Sequence, residues 1–306
     1  MQAVVAVEHG PPSALQLQEL PEPVAGEGRT AIRVVSAGVN FSDVLTISGR
    51  YPGPPLPFVP GIEVAGNALD DGRPVIALLE SGGYAEVATA NARMVFDADG
   101  LDLERAGGYA LVTLAAYFGL RYAARLQRGE SVLVLAGAGG LGSAAIQVAR
   151  ALGAARVVAV ASSERKREIA LAQGADEALP YGEQLPPTDL VVDGVGGEAF
   201  GQAYRATRRL GRVLLVGASS GTPPALPAFQ ELRERGVGLV PFSFKALRES
   251  DGEFVARTAP QALDLIRSGE VRPLLGSSHP LADAPTVLAA LAGRDTVGKQ
   301  LLRTGR

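Results

Sequence analysis

From Ser131 onward, short apolar runs alternate with longer amphipathic stretches. The runs are "SVLVLA", "RVVAVA", "TDLVVD", "RVLLVG" and "VGLVPFSF", with a short "DEALPY" between the second and third. Between them lie stretches such as "GGLGSAAIQVARALG" and "SERKREIALAQG", closed by Gly153 and Gly174. Continuous apolar strands separated by helices of this length indicate a parallel sheet covered on both faces. Counting Glu177–Tyr181 there are six strands, enough for a complete doubly wound Rossmann sheet.

Before about Thr113 the rhythm differs. "AVVAVE", "TAIRVVSAGV" and "GYAEVATA" are short, rich in branched residues, and bounded by Pro and Gly, so they read as strands of a mainly β domain. "RYPGPPLPFVPG" (50–61) holds five prolines and reads as an ordered loop or lid. After Glu249 the pattern gives a helix at "PQALDLIRSG", a strand near "SSHPL", another helix, and a closing "GKQLLR". The expected division is 1–113, 114–248 and 249–306, the middle segment being the Rossmann domain.

Charge and composition remove several function classes. A net charge of −3 over 306 residues argues against nucleic acid as a partner, which wants a concentrated basic surface. There is no cysteine, hence no disulfide, thiolate nucleophile or thiolate-bound zinc. The opening "MQAVVAVEHGPP" lacks the form of a signal peptide, and no run is long and apolar enough to suggest a membrane span. A cytoplasmic protein is expected.

Gly137, Gly139 and Gly142 fit G-x-G-x-x-G, with a strand before and a helix after. The pattern needs one glycine for a tight turn, one for backbone approach to a pyrophosphate, and one for close helix–strand packing. A glycine-rich packing turn is the competing reading. Gly194-Val195-Gly196-Gly197 also follows a strand and opens a helix; its later place in the series makes it the weaker candidate. Twenty residues after Gly142, where an NAD site usually has an acid, stand Ser162 and Ser163, with Arg165, Lys166 and Arg167 beyond. Hydroxyls and cations suit a 2′-phosphate, so NADPH is the expected cofactor, with Glu164 as the contrary feature.

Taken together, "GVNFSDVLTISGRYPGPPLPFVPGIEVAG", "GGYAEVA", "GESVLVLAGAGGLGSAAIQVARALGA", "VVDGVGGEAF", "GRVLLVG" and "GKQLL" resemble the zinc-independent quinone oxidoreductase group of the medium-chain dehydrogenase/reductase superfamily. The resemblance runs nearly end to end. It implies a GroES-like catalytic domain built from both termini, the Rossmann domain inserted into it, and a homodimer. "VGLVPFSF" would be the edge strand that pairs across the twofold. Zinc members carry Gly-His-Glu where this chain has Gly61-Ile62-Glu63. Only His9 and His279 remain, each read as a strand-end surface residue, so no set of three or four zinc ligands is available. The acceptor must then be electrophilic already: a quinone or an α,β-unsaturated carbonyl.

The resemblance also implies residue roles. Asn40 would lie near the nicotinamide ribose and the substrate carbonyl, its amide donating to oxygen; a strand-end cap is the alternative. Tyr51 would face the substrate, or simply pack in the loop. Asp43 reads as an N-cap or organiser rather than a proton donor, because a carboxylate would repel a developing enolate. Gly139, Gly140, Leu141 and Gly142 would cradle the pyrophosphate. Ser163, Lys166 and Tyr181 would reach the 2′-phosphate and adenosine. Gly217, Phe242 and Ser243 would run beside the nicotinamide. Lys299 would be a surface salt bridge or a cofactor contact.

Two departures stand out. The usual Thr-Ala-Tyr is Ala115-Ala116-Tyr117, which removes one hydroxyl; Thr113 would face elsewhere on a helix. The usual Gly-Asp-Arg-Val is Gly72-Arg73-Pro74-Val75, in a shortened connection. "GVNFSDVL" followed by "GRYP" also resembles enoyl-thioester reductases, and a non-catalytic NADPH-binding protein is a further alternative.

Overall fold

The computed structural model describes residues 1–305. The chain forms two compact units, 1–111 with 252–260 and 275–305, and Val112–Asp251 with Gln261–Leu274.

The first unit is mainly β. Its seven-stranded sheet runs in the order Leu275–Pro280, Lys299–Arg303, Arg29–Gly38, Glu63–Ala68, Pro74–Leu78 and Val95–Asp97, with Val87–Asn91 also pairing on Arg29–Gly38. The closing strand is locked antiparallel to Arg29–Gly38, Leu301 opposite Gly38 and Leu302 opposite Ala37, so the closing segment completes the sheet of the first segment. Alternate side chains such as Ile32, Val34, Val64 and Leu302 meet Phe58, Tyr84 and Leu288 in one core. His9 lies exposed just past the strand Gln2–Ala6, which pairs with Leu15–Glu19 in a separate two-stranded sheet; His279 is half-buried within Leu275–Pro280.

The second unit carries six parallel strands in the order Glu177–Leu179, Arg156–Val160, Ser131–Leu135, Thr188–Asp193, Thr207–Leu215 and Gly238–Pro241. This is the doubly wound order expected from the apolar runs. Ser131–Leu135 is buried at every position, as a central parallel strand must be.

One helix departs from its sequence reading. "PQALDLIRSG" is only the end of a helix that begins at Gly252, contains Pro260 and runs to Arg267. Proline inside a helix removes a bond and costs about 3 kcal/mol. Burial of Val255, Ala259, Ala262 and Leu263 on one stripe offsets it. The two units divide this helix after Pro260. Residues 261–274, which the sequence groups with the closing segment, pack in the Rossmann unit. Gln147 holds them there like a strand partner, its Oε1 accepting from Arg272 N at 2.7 Å and its Nε2 donating to Arg272 O at 3.1 Å. Among the described residues no helix is long and apolar enough to cross a membrane.

Candidate functional site

Ser131–Leu135 pairs with Arg156–Val160 on one side and Thr188–Asp193 on the other. Its carboxyl end is therefore the switch point, where successive connections leave in opposite directions and open a crevice. The glycine turn sits there, but its glycines are allotted differently from the sequence expectation. The left-handed position belongs to Ala136, at φ +54°. A left-handed alanine costs about 1–2 kcal/mol, so the turn needs outside support. Tyr181 gives it: its hydroxyl accepts from Ala136 N at 3.1 Å, while Gly139 N donates back to Ala136 O at 2.9 Å.

Gly137 and Gly142 are required by space. A Cβ on Gly137 would come within 2.8 Å of Ala159 Cβ, and one on Gly142 would overlap the Ala136 carbonyl oxygen. Gly139 is the N-cap of the helix Gly140–Ala151, whose first bridging bond is Ser143 N to Gly139 O at 2.9 Å. The N–H groups of Gly140, Leu141 and Gly142 find no acceptor among the described residues, as the first turn of a helix dictates. A diphosphate fits such a mouth.

The rival loop is filled by the protein itself. Gly196 and Gly197 are left-handed, at φ +71° and +55°, but Asp193 Oδ1 accepts from Val195 N at 2.7 Å and Gly196 N at 2.9 Å. The carboxylate takes the place a phosphate would need. Burial pushes the Asp193 carboxyl above its ordinary range, and these two N–H bonds pull against it.

Other expected contacts also lie beyond the carboxyl ends of this sheet. Ser162 and Ser163 are exposed past Arg156–Val160. Ser163 caps the helix Glu164–Ala172, its Oγ accepting from Lys166 N at 3.3 Å. Lys166 is half-buried in the first turn. Gly217 follows Thr207–Leu215 and passes Gly194, whose carbonyl oxygen would be 3.3 Å from an added Cβ. Phe242 N donates to Leu215 O at 2.9 Å, and Ser243 caps the next helix by accepting from Ala246 N at 3.2 Å.

In the β unit, Asn40 stands at the start of the helix Phe41–Ile47, and half-buried Tyr51 follows its end, with Tyr51 N bonded to Leu45 O at 3.2 Å. Asn40 belongs to a buried polar network. Its Nδ2 donates to Gly38 O at 3.2 Å and Glu63 Oε1 at 3.1 Å, and its Oδ1 accepts from Lys299 Nζ. Lys299 also pairs with Glu63, whose Oε2 accepts from Leu111 N at 2.9 Å. Asp43 Oδ2 accepts from Asn40 N at 2.8 Å and from the Tyr84 hydroxyl at 2.6 Å. Asp43 is thus the organiser expected from its sequence position.

Two expectations are corrected here. Lys299 makes its salt bridge in the interior, at 3% exposure, not on the surface. Both amide hydrogens of Asn40 are taken by protein acceptors, so it has none for a substrate oxygen. Sequence reasoning missed Glu63 and Tyr84. The signal for Glu63 was available: a charge within the buried strand "EVAGNA" must find a partner.

Burial raises the Asp43 carboxyl from 3.8 to about 6, against the Tyr84 and Asn40 hydrogen bonds and the Lys299 charge, which lower it; Glu63 adds to the rise. Between those values the folded chain holds a proton that the unfolded chain has released. Stability therefore falls as pH rises through that window and levels above about 6, by about 3 kcal/mol in all. Urea unfolding of wild type and Asp43→Asn from pH 4 to 7 checks this. Their stability difference should change by that amount, and parallel profiles would refute it; Asp193 shifts in the same direction in both chains and cancels.

Two family descriptions match the chain: alcohol dehydrogenase GroES-like domain over residues 26–76, and zinc-binding dehydrogenase over 140–250. A quinone oxidoreductase of Lama guanicoe is 31% identical, over 92% of this chain and 90% of its own length. The chain belongs to the zinc-independent quinone oxidoreductase group of the medium-chain dehydrogenase/reductase superfamily. A mycobacterial protein solved in complex with NADPH is 32% identical, with a TM-score of 0.91 over 99% of this chain and 100% of that one. The polyketide synthase GfsB of Streptomyces halstedii is 31% identical over 90% of this chain, which spans 5% of that protein. In this quinone oxidoreductase-group chain Ile62 precedes a Glu63 already committed to Lys299. Among the described residues no three His, Asp or Glu side chains are placed to hold a metal.

Proposed function

We propose that this chain is an NADPH-dependent reductase that passes hydride to a quinone or an α,β-unsaturated carbonyl, working as a homodimer. The observation that carries the coenzyme reading is the open helix mouth at Gly140–Gly142. Beside it, Ser162, Ser163 and Lys166 stand where an NAD site would have an acid.

When bound, the coenzyme supplies the hydride. The chain's own groups bind and orient. The Gly140, Leu141 and Gly142 N–H groups hold the diphosphate at the positive end of their helix. Ser163 would donate to the 2′-phosphate and Lys166 would neutralise it, and Tyr181 holds the turn through Ala136. Gly217 and the Phe242-Ser243 main chain flank the nicotinamide, and Tyr51 orients the acceptor. The edge strand Gly238–Pro241 pairs with its own copy in the dimer, a state that sedimentation equilibrium reads.

Titrating NADPH and NADH by fluorescence tests the coenzyme reading. Lys166→Ala should weaken NADPH about tenfold, the loss of one charge-assisted contact, and leave NADH unchanged. Equal affinities that the substitution does not move would overturn it. The likeness to a polyketide synthase favours one second reading, reduction of enoyl thioesters. Steady NADPH oxidation with simple quinones and none with enoyl thioesters decides for the first; the reverse decides for the second.

A further inference from the structure

We infer that Lys299 and Glu63 are positioning residues that lock the Asn40 amide in one orientation, leaving its carbonyl edge as the face it offers to a ligand. This rests on the proposed reductase reading for what Asn40 meets. The lock itself stands on the geometry.

A primary amide is nearly symmetric in shape, so packing alone does not choose between its two flipped orientations. Chemistry does, when the neighbours are unambiguous. Lys299 is a donor only and touches Oδ1; Glu63 Oε1 and Gly38 O are acceptors only and take the two hydrogens of Nδ2. Flipping Asn40 would set its NH₂ against an ammonium and its carbonyl against a carboxylate. Asn40, Glu63 and Lys299 are all buried, which strengthens the preference.

The fold makes room for this pair. A Cβ on Gly38 would overlap Glu63 Oε1, and one on Gly108 would lie 2.9 Å from Lys299 Cγ. Buried ion pairs add little net stability over apolar replacements, and specifying one arrangement is their better-attested use. Of the three lysines, Lys299 alone is buried; Lys166 and Lys245 are half-buried on helices. With both hydrogens spent, Asn40 has only Oδ1, an acceptor, left to present. Its ligand must therefore be a donor. A ribose hydroxyl of the bound dinucleotide meets that requirement, and a quinone or enone carbonyl does not.

Two measurements test this. The first needs no turnover: exchange of the Asn40 side-chain amide hydrogens with water, read by NMR and assigned through Asn40→Ala. Exchange should be protected in wild type and at least about tenfold faster in Lys299→Gln and in Glu63→Gln, with circular dichroism and cooperative thermal unfolding as the folding control. Unchanged exchange in whichever variant folds would overturn the lock. The second is a double-substitution cycle on turnover. Asn40→Ala and Lys299→Gln should each lower kcat about tenfold with acceptor KM unchanged, and Lys299→Gln should add less than twofold once Asn40 is alanine. The same loss in both backgrounds would make Lys299 merely structural and refute the inference. Should wild type reduce no acceptor, the reductase reading falls while the exchange experiment still decides the lock.

Discussion

Gly142→Ala is expected to weaken NADPH by at least about 100-fold, about 2.7 kcal/mol of binding free energy. The reason is contact between main chains. The added methyl would overlap the Ala136 carbonyl oxygen and press on the Ala136 carbonyl carbon at 2.7 Å, and neither can rotate away as a side chain would. Ala136 is already left-handed and is held by its N–H donating to the Tyr181 hydroxyl and its carbonyl accepting from Gly139 N, so the turn has no spare conformation to adopt. Relief requires the start of the helix Gly140–Ala151 to move, and with it the three N–H groups that would face the diphosphate. Gly201→Ala is the control. Its methyl would meet only the end of Arg205 at 3.6 Å, inside the helix Gly197–Ala206, where alanine is favoured over glycine by about 1 kcal/mol. Fluorescence titration of both variants should give lost binding for the first and wild-type affinity for the second. Wild-type affinity in Gly142→Ala would remove the helix mouth from the coenzyme site.

The contrast between these two glycines shows what a sequence reveals and what it hides. The six strands, their order of use and the primary glycine turn follow from local pattern, because an apolar run and a glycine stop act on their own neighbours. Which glycine serves which need is not local. Ala136 holds the left-handed position with its N–H satisfied by Tyr181, 45 residues later. The second loop matches its motif as sequence and fails as a site because Asp193 occupies it, a fact of side-chain direction. Lys299 and Asn40, 259 residues apart, meet only because the closing strand enters the first sheet beside Arg29–Gly38. The Pro260 helix continues because burial of a stripe outweighs a local breaker.

The same closing strand sets the second large effect. Glu63→Ala leaves Lys299 buried without its ion-pair partner, with only the Asn40 oxygen and the charge of Asp43 beside it, and leaves Leu111 N without its acceptor. Breaking a buried pair from one side costs about 3–5 kcal/mol. In a unit of this size that lowers the melting temperature by about 10 °C. An exposed pair such as Arg73–Asp71, with about half of each side chain in solvent, should cost under about 1 kcal/mol when broken. The decisive comparison is the apolar double replacement Glu63→Leu with Lys299→Met. Removing both charges removes the desolvation cost along with the attraction, so the double variant should lose less than either single one. Thermal and urea unfolding of the four chains measures the coupling directly. Additive losses would show that Glu63 and Lys299 do not hold one another, and the Asn40 orientation would then need another cause.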